Sequence, residues 1–165
     1  KNWATTVHQA QSLIHDHGDK IHLPVDLAAN IEGNRVDIPL DDFPIEAPFW
    51  DIGIKSVFHL SAAIRRAGTI ILNGPSGVFE NPDFALGTIE MLNACAESDG
   101  YAVMGGGHTA TLVAQRGLAN KMGHVSTGGG ACLDYIAGRP LPAVVSLEQS
   151  AVAFGIDITS AERKV

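Results

Sequence analysis

The stretch YAVMGGGHTATLVAQRGLANKMGHVSTGGGACLDYIAG, Tyr101 to Gly138, states one pattern twice. A short apolar strand, YAVM and then HVS, runs into clustered glycines. A helical segment follows, to about Arg116 in the first pass and to about Ala137 in the second, where Gly138 stands ready as a C-cap. Strands that alternate with helices pair in parallel and are covered on both faces. The pattern predicts an α/β fold, a three-layer, Rossmann-like arrangement with a mostly parallel sheet and helices on both sides.

Working outward, the apolar run TIILN at Thr69–Asn73 predicts a third buried strand. Before it, Ser56 to Arg66 reads as a helix capped by Ser56 and closed at Gly68; after it, a helix from about Asp83 to Glu97 starts at the Asn81-Pro82-Asp83 turn, with Asp83 as its cap. Near the N-terminus, Val7, Ala10, Leu13 and Ile14 recur at helical spacing within Trp3–His17, and Ile21 to Val25 reads as a strand. Asn30 to Trp50 carries Gly33, Pro39, Pro44 and Pro48 among carboxylates and is expected to be a long excursion with at most short strands. Ser146 to Phe154 predicts a last helix.

With 165 residues, 45% of them hydrophobic and 18% charged, the chain has the size and burial potential of one domain rather than of a disordered tail. A formal charge of −7 argues against a general binder of nucleic acid or of anionic membranes, which needs a cationic field. Any phosphate must be held locally. Cys95 and Cys132 make neither a disulfide framework nor a CxxC site, and no leader or membrane-length apolar run is visible, so a reducing, cytoplasmic setting is expected. The chain opens at Lys1 in what already reads as mid-helix, which suggests a piece of something longer.

Three segments place glycines after a strand: NGPSG at Asn73–Gly77, GGGHT at Gly105–Thr109 and STGGGA at Ser126–Ala131. In a doubly wound sheet that edge is where ligands bind. In the second and third loops the glycines also open a helix, whose first amides lack partners and whose dipole is positive, so both are candidate phosphate cradles. Any one loop taken singly could be ordinary helix-strand packing. No Asp or Glu lies between Gly100 and Leu133, while ten of the 18 glycines lie between Gly100 and Gly138. That window suits an anion.

Several phosphate motifs are excluded. Gly105, Gly107 and Ala110 fit G-x-G-x-x-A, but the acidic residue about 20 positions on is missing, which weakens a nicotinamide-dependent dehydrogenase reading. No Lys-Ser/Thr follows a glycine loop as a Walker A motif requires. Ser76 is followed by Gly77 and Val78 rather than sitting in G-x-S-x-G, so it reads as a turn residue and not a nucleophile. His15, His17 and His22 lie near Asp16 and Asp19 without the spacing of a structural zinc site. His108, inside a glycine loop at a helix start, could donate to a phosphate, help hold a metal-bound nucleotide, or cap the helix. Glu80 could accept from two ribose hydroxyls or be an exposed loop acid, and the Asn73 amide could reach a phosphate oxygen or brace its loop.

Taken in order, NGPSGVFENPDFALGT (Asn73–Thr88), GGGHTA (Gly105–Ala110) and GHVSTGGGACLDYIAGRPLPAV (Gly123–Val144) resemble the C-terminal domain of phosphoglycerate kinase. LPVD at Leu23–Asp26 and DIG at Asp51–Gly53 fit the same order, and only the tail after about Leu147 lies outside the resemblance. The resemblance implies a two-domain, ATP-dependent kinase passing a phosphoryl group between 1,3-bisphosphoglycerate and ADP, with Mg²⁺. It makes residues 1–165 a single partial domain on the adenine-nucleotide side, without the domain that takes 3-phosphoglycerate, and inactive alone. It sets Asn73, Pro75 and Val78 beside the nucleotide, Glu80 on the ribose, and Gly105, Gly106, Gly107, His108 and Thr109 near the phosphates. It turns the amides of Gly128, Gly129 and Gly130 toward the phosphoryl group in flight. Many members carry aspartate where this chain has His108, and imidazole is a poor substitute for a carboxylate on hard Mg²⁺. Histidine at that position looks like the archaeal branch. The other reading is a structural fragment without activity that self-associates through an exposed sheet edge.

Overall fold

The computed structural model describes residues 3–157. The glycine-punctuated half folds as the sequence predicts: β4 (Thr69–Asn73), β5 (Tyr101–Gly105) and β6 (His124–Ser126) form a parallel sheet in the order β4-β5-β6. Their register sets Asn73 opposite Gly105 and Gly105 opposite Ser126, so the three strands end in one row. Helices α4 (Gly107–Gln115) and α5 (Gly129–Ile136) start directly from that row. Gly138, at φ 69, closes α5, as expected.

Strand alternation sorts this sheet's faces. Ile70, Ala102 and Met104 turn to one face and pack with Leu92 and Cys95 of α3 (Leu86–Glu97), Leu112 and Val113 of α4, and Met122. Burial pushes the Cys95 thiol up to about 11, so at neutral pH it is a packed thiol and not a thiolate nucleophile. Ile71, Tyr101 and Val103 turn to the opposite face, where they and Tyr135 and Ile136 of α5 line an apolar cavity of about 590 Å³.

The first half departs from expectation. Ile21–Val25 is not a strand; β1 starts at Asp26 and runs to Ile31. The expected excursion contains β2 (Asn34–Pro39) and β3 (Phe49–Ile52), which flank β1 in a second, antiparallel sheet of order β2-β1-β3. The hairpin turns at Glu32 and Gly33, φ 52 and 87, the left-handed pair of a two-residue turn that matches strand twist. The α/β class stands, with the antiparallel sheet beside the parallel one.

Helix α2 (Ile54–Arg65) starts two residues before the predicted cap Ser56, and α3 starts after Asp83. Asn81 accepts from the Asp83 amide in a 3-10 turn at Pro82–Phe84. Aspartates of the antiparallel sheet satisfy the first-turn amides: Asp37 accepts from Ile54 N, Asp26 from Lys55 N and Ser56 N, and Asp51 from Gly87 N. The caps come from 17 to 36 residues away. Helix α1 (Trp3–His17) exposes all its described residues, its apolar stripe included, and α6 spans Pro142–Ala153, four residues earlier than expected at its start. No described helix is long and apolar enough to cross a membrane.

Candidate functional site

Each parallel strand delivers one glycine loop to the same edge. Gly74, at φ 92, donates its amide to the Gly105 carbonyl at 3.3 Å and to Thr109 Oγ1 at 3.2 Å, so the first loop is tied to the second. Gly106, at φ 98, donates to the Ser126 carbonyl at 3.0 Å, tying the second to the third. Ser126 Oγ accepts from the Gly128 amide at 3.2 Å. Asn73 lies at the centre. A Cβ on Gly105 would fall 2.4 Å from Asn73 Oδ1, and one on Gly129 would fall 2.8 Å from that oxygen and 3.0 Å from Gly106 Cα. These glycines are therefore required by mutual approach. Gly107 and Gly130 have open space where a Cβ would stand, so their side toward solvent is clear for a ligand.

The edge thus presents the helix starts of α4 and α5, capped by Gly106 and Gly128 with no side chain occupying their first amides. Two N-termini and an asparagine amide without a partner among the described residues suit a polyanion. Thr109 is buried, spent on the Gly74 tether. His108 is exposed, its ring centroid 5.8 Å from that of Phe79.

Beyond the edge, Phe49, Trp50, Pro75 and Val78 line an open cavity of about 330 Å³, the right size for a flat ring system. The Val78 amide donates to the Trp50 carbonyl at 2.7 Å, and Trp50 packs edge-on to Phe84 at 5.1 Å. Two residues on, Glu80 is exposed and its side chain makes no hydrogen bond or ion pair among the described residues, which leaves both oxygens free to accept.

The family model for phosphoglycerate kinase matches residues 1–139. The chain belongs to the phosphoglycerate kinase family. It is 43% identical over 150 residues to the phosphoglycerate kinase of Methanothermus fervidus, covering 91% of this chain and 36% of that one. Against the Methanococcus maripaludis phosphoglycerate kinase it is 44% identical over 142 residues, covering 86% and 34%. The crystal structure of phosphoglycerate kinase from Pyrococcus horikoshii superposes with a TM-score of 0.78 at 34% identity, over 88% of this chain and 37% of that one. The chain spans about a third of the length of the curated relatives it matches.

Within this chain, the residues read from sequence fall into three places. Asn73, Gly105, Gly106, Thr109 and Gly129 meet directly, Gly107, His108, Gly128 and Gly130 ring them along the edge, and Pro75, Val78 and Glu80 stand along the following turn. Sequence reasoning missed Phe49 and Trp50, which sit in the stretch read as an excursion. Two aromatics directly ahead of the quoted Asp51-Ile52-Gly53 motif were the available signal. It also missed Arg35, whose guanidinium reaches under the turn that bears Glu80.

Proposed function

We propose that this chain is part of the nucleotide-binding domain of a phosphoglycerate kinase, acting in the cytoplasm with a second domain that takes 3-phosphoglycerate. One observation carries the reading: three glycine loops of one parallel sheet are bonded together around Asn73, with two helix N-termini open beside it. In the direction that makes ATP, a β-phosphate oxygen of ADP forms a bond to the phosphorus of 1,3-bisphosphoglycerate. The bond from phosphorus to the acyl oxygen breaks, and the carboxylate of 3-phosphoglycerate leaves with the electron pair. Such a transfer asks the protein for in-line positioning and charge neutralisation rather than covalent chemistry. The first-turn amides of α5, Gly129 and Gly130, face the moving phosphoryl group, with Gly128 as the N-cap whose own amide is held by Ser126 Oγ, while Asn73, Gly105, Gly106, Gly107, His108 and Thr109 frame the ADP phosphates. The slot of Phe49, Trp50, Pro75 and Val78 takes adenine, and Glu80 accepts from the ribose hydroxyls.

Magnesium fits this edge poorly. Among the described residues no three His, Cys, Asp or Glu side chains gather into a metal cluster, and from Gly100 to Leu133 no carboxylate is available. We assign Mg²⁺ to the phosphate oxygens of the nucleotide, and no step here runs through a protein-held metal.

Calorimetric titration of the intact protein with ADP tests the reading. Glu80→Ala is expected to weaken ADP about tenfold, as a charge-assisted hydrogen-bond acceptor is lost. Unchanged affinity would remove Glu80 from the site. Self-association is the second reading, and it draws on β4, which has β5 as its one neighbour among the described strands, and on the apolar cavity beside it. Light scattering on the 165-residue chain separates the two: a dimer or larger species favours association, while a monomer that binds ADP rules it out.

A further inference from the structure

Arg35 is a β2 residue far in sequence from every glycine loop, yet its guanidinium is mostly buried and uses its whole fork. Nε donates to Asp37 Oδ1 at 3.1 Å, and Nη2 donates to the Ile52 carbonyl at 2.8 Å. Nη1 donates to Asp51 Oδ2 at 2.9 Å and to the Asp83 carbonyl at 3.0 Å. Asp51, its side chain fully buried, in turn accepts from the Gly87 amide at 2.8 Å and faces Ser76 Oγ at 3.5 Å. Gly77 lies so close that a Cβ there would fall 2.6 Å from Asp51 Oδ1.

These contacts bracket one segment. Ser76 and Gly77 precede Glu80, and Asp83 and Gly87 follow it. The Arg35–Asp51 pair therefore pins both flanks of a turn whose apex carries a free carboxylate. A surface ion pair holding nothing else would contribute little. This one is desolvated and forked; it is bonded to backbone after the apex, at the Asp83 carbonyl and the Gly87 amide, and meets the Ser76 hydroxyl and the closely packed Gly77 before it, an arrangement that fixes a functional group by the atoms supporting it.

We propose that Arg35 is a positioning residue for Glu80: through Asp51 and the Asp83 carbonyl it holds the 76–87 turn so that the Glu80 carboxylate meets the ribose hydroxyls of the nucleotide. This rests on the nucleotide reading above. Lysine in its place supplies a charge but no planar fork, so it can hold Asp51 or the two carbonyls but not all three at once.

The test is the ratio of affinities for ADP and 2′,3′-dideoxy-ADP, measured by calorimetry on the intact protein after circular dichroism shows each variant folded. Wild type is expected to prefer ADP by about tenfold. Arg35→Gln should abolish most of that preference while leaving dideoxy-ADP affinity within twofold, and Arg35→Lys should lose part of it. Arg35→Gln combined with Glu80→Ala should show no more loss than Glu80→Ala alone. If Arg35→Gln and Arg35→Lys weaken both nucleotides equally, or if Arg35→Gln adds its full loss to that of Glu80→Ala, Arg35 is a fold element and the proposal falls. Should Arg35→Gln not fold, the Arg35→Lys ratio decides alone. A wild type that binds ADP without discriminating the dideoxy form, or a Glu80→Ala protein that keeps the discrimination, overturns the ribose role of Glu80 and this proposal with it.

Discussion

Gly129→Ala is expected to lower ADP affinity by about tenfold or more and to reduce phosphoryl transfer in the intact protein at least as much. The new Cβ would stand 2.8 Å from Asn73 Oδ1 and 3.0 and 3.1 Å from Gly106 Cα and N. The asparagine amide can turn away, but Gly106 is backbone, tied to the Ser126 carbonyl. Overpacking of this kind costs about 1–3 kcal/mol, here spent on forcing the three loops apart where they converge. Gly130→Ala is the paired control. Its Cβ points into open space on the same helix turn, so thermal stability should hold within about 0.5 kcal/mol. If the phosphoryl group approaches this turn, Gly130→Ala still loses phosphoryl transfer, because the methyl stands in the path of the transferred group and not in the protein's. Full phosphoryl transfer by both variants would put that group elsewhere.

The half of the fold that holds these loops was legible because its punctuation is local. In 101–138 each strand, turn and helix start is set by residues adjacent in sequence, and glycines mark both helix starts and the end of α5. The antiparallel half was not legible, and β1 shows why. Its sequence, DLAANI, is poor in β-branched and aromatic residues, while the apolar run just before it looks more like a strand. What makes Asp26–Ile31 a strand is pairing on both sides, with β2 and β3. The Glu32-Gly33 turn was the one local signal for that hairpin. Helix starts failed for the same reason. Ser56 and Asp83 look like caps, but α2 starts at Ile54 and α3 at Leu86, and their first-turn amides are satisfied by Asp37, Asp26 and Asp51 from a sheet the sequence did not reveal.

The candidate site divides along the same line. Asn73 and the glycines of 105–107 and 128–130 could be read because they cluster locally after strands, and at Gly105, Gly106 and Gly129 close approach or a positive φ demands glycine. Phe49, Trp50 and Arg35 could not, because their part in the site exists only once the antiparallel sheet packs its β3 strand against the Asn73–Glu80 loop. The two sheets thus have different tasks. The parallel one provides the edge of glycine loops and open helix starts proposed for the phosphates, and the antiparallel one holds the turn beside it.

Asp26→Ala should produce a large loss of stability. Asp26 is buried and links β1 to α2 by accepting from Lys55 N at 3.0 Å, from Ser56 N at 2.8 Å and from the Ser56 hydroxyl. The Ser56 oxygen in turn accepts from the amides of Val25 and Asp26. Truncation leaves two first-turn amides without a partner in a site where a Gly53 Cβ would already strike the carboxylate. Loss of a charge-assisted acceptor and two stranded donors amounts to about 3 kcal/mol, or on the order of 10 °C in Tm for a domain this size. Asp26→Asn should recover only part, since its NH₂ would face an amide donor. Burial pushes the Asp26 carboxyl up, but the Ser56 hydroxyl, the Ser56 and Lys55 amides and the Lys55 charge outweigh it and hold it below its ordinary 3.8. A carboxyl depressed in the folded state stabilises fully above its unfolded value and loses that contribution as pH falls through the folded one. The Tm gap between wild type and Asp26→Asn should therefore be constant at neutral pH and narrow below about pH 4. A gap that stays constant to pH 2.5, or a Tm loss under 3 °C for Asp26→Ala, would mean that α2 is held by its packing and not by this carboxylate.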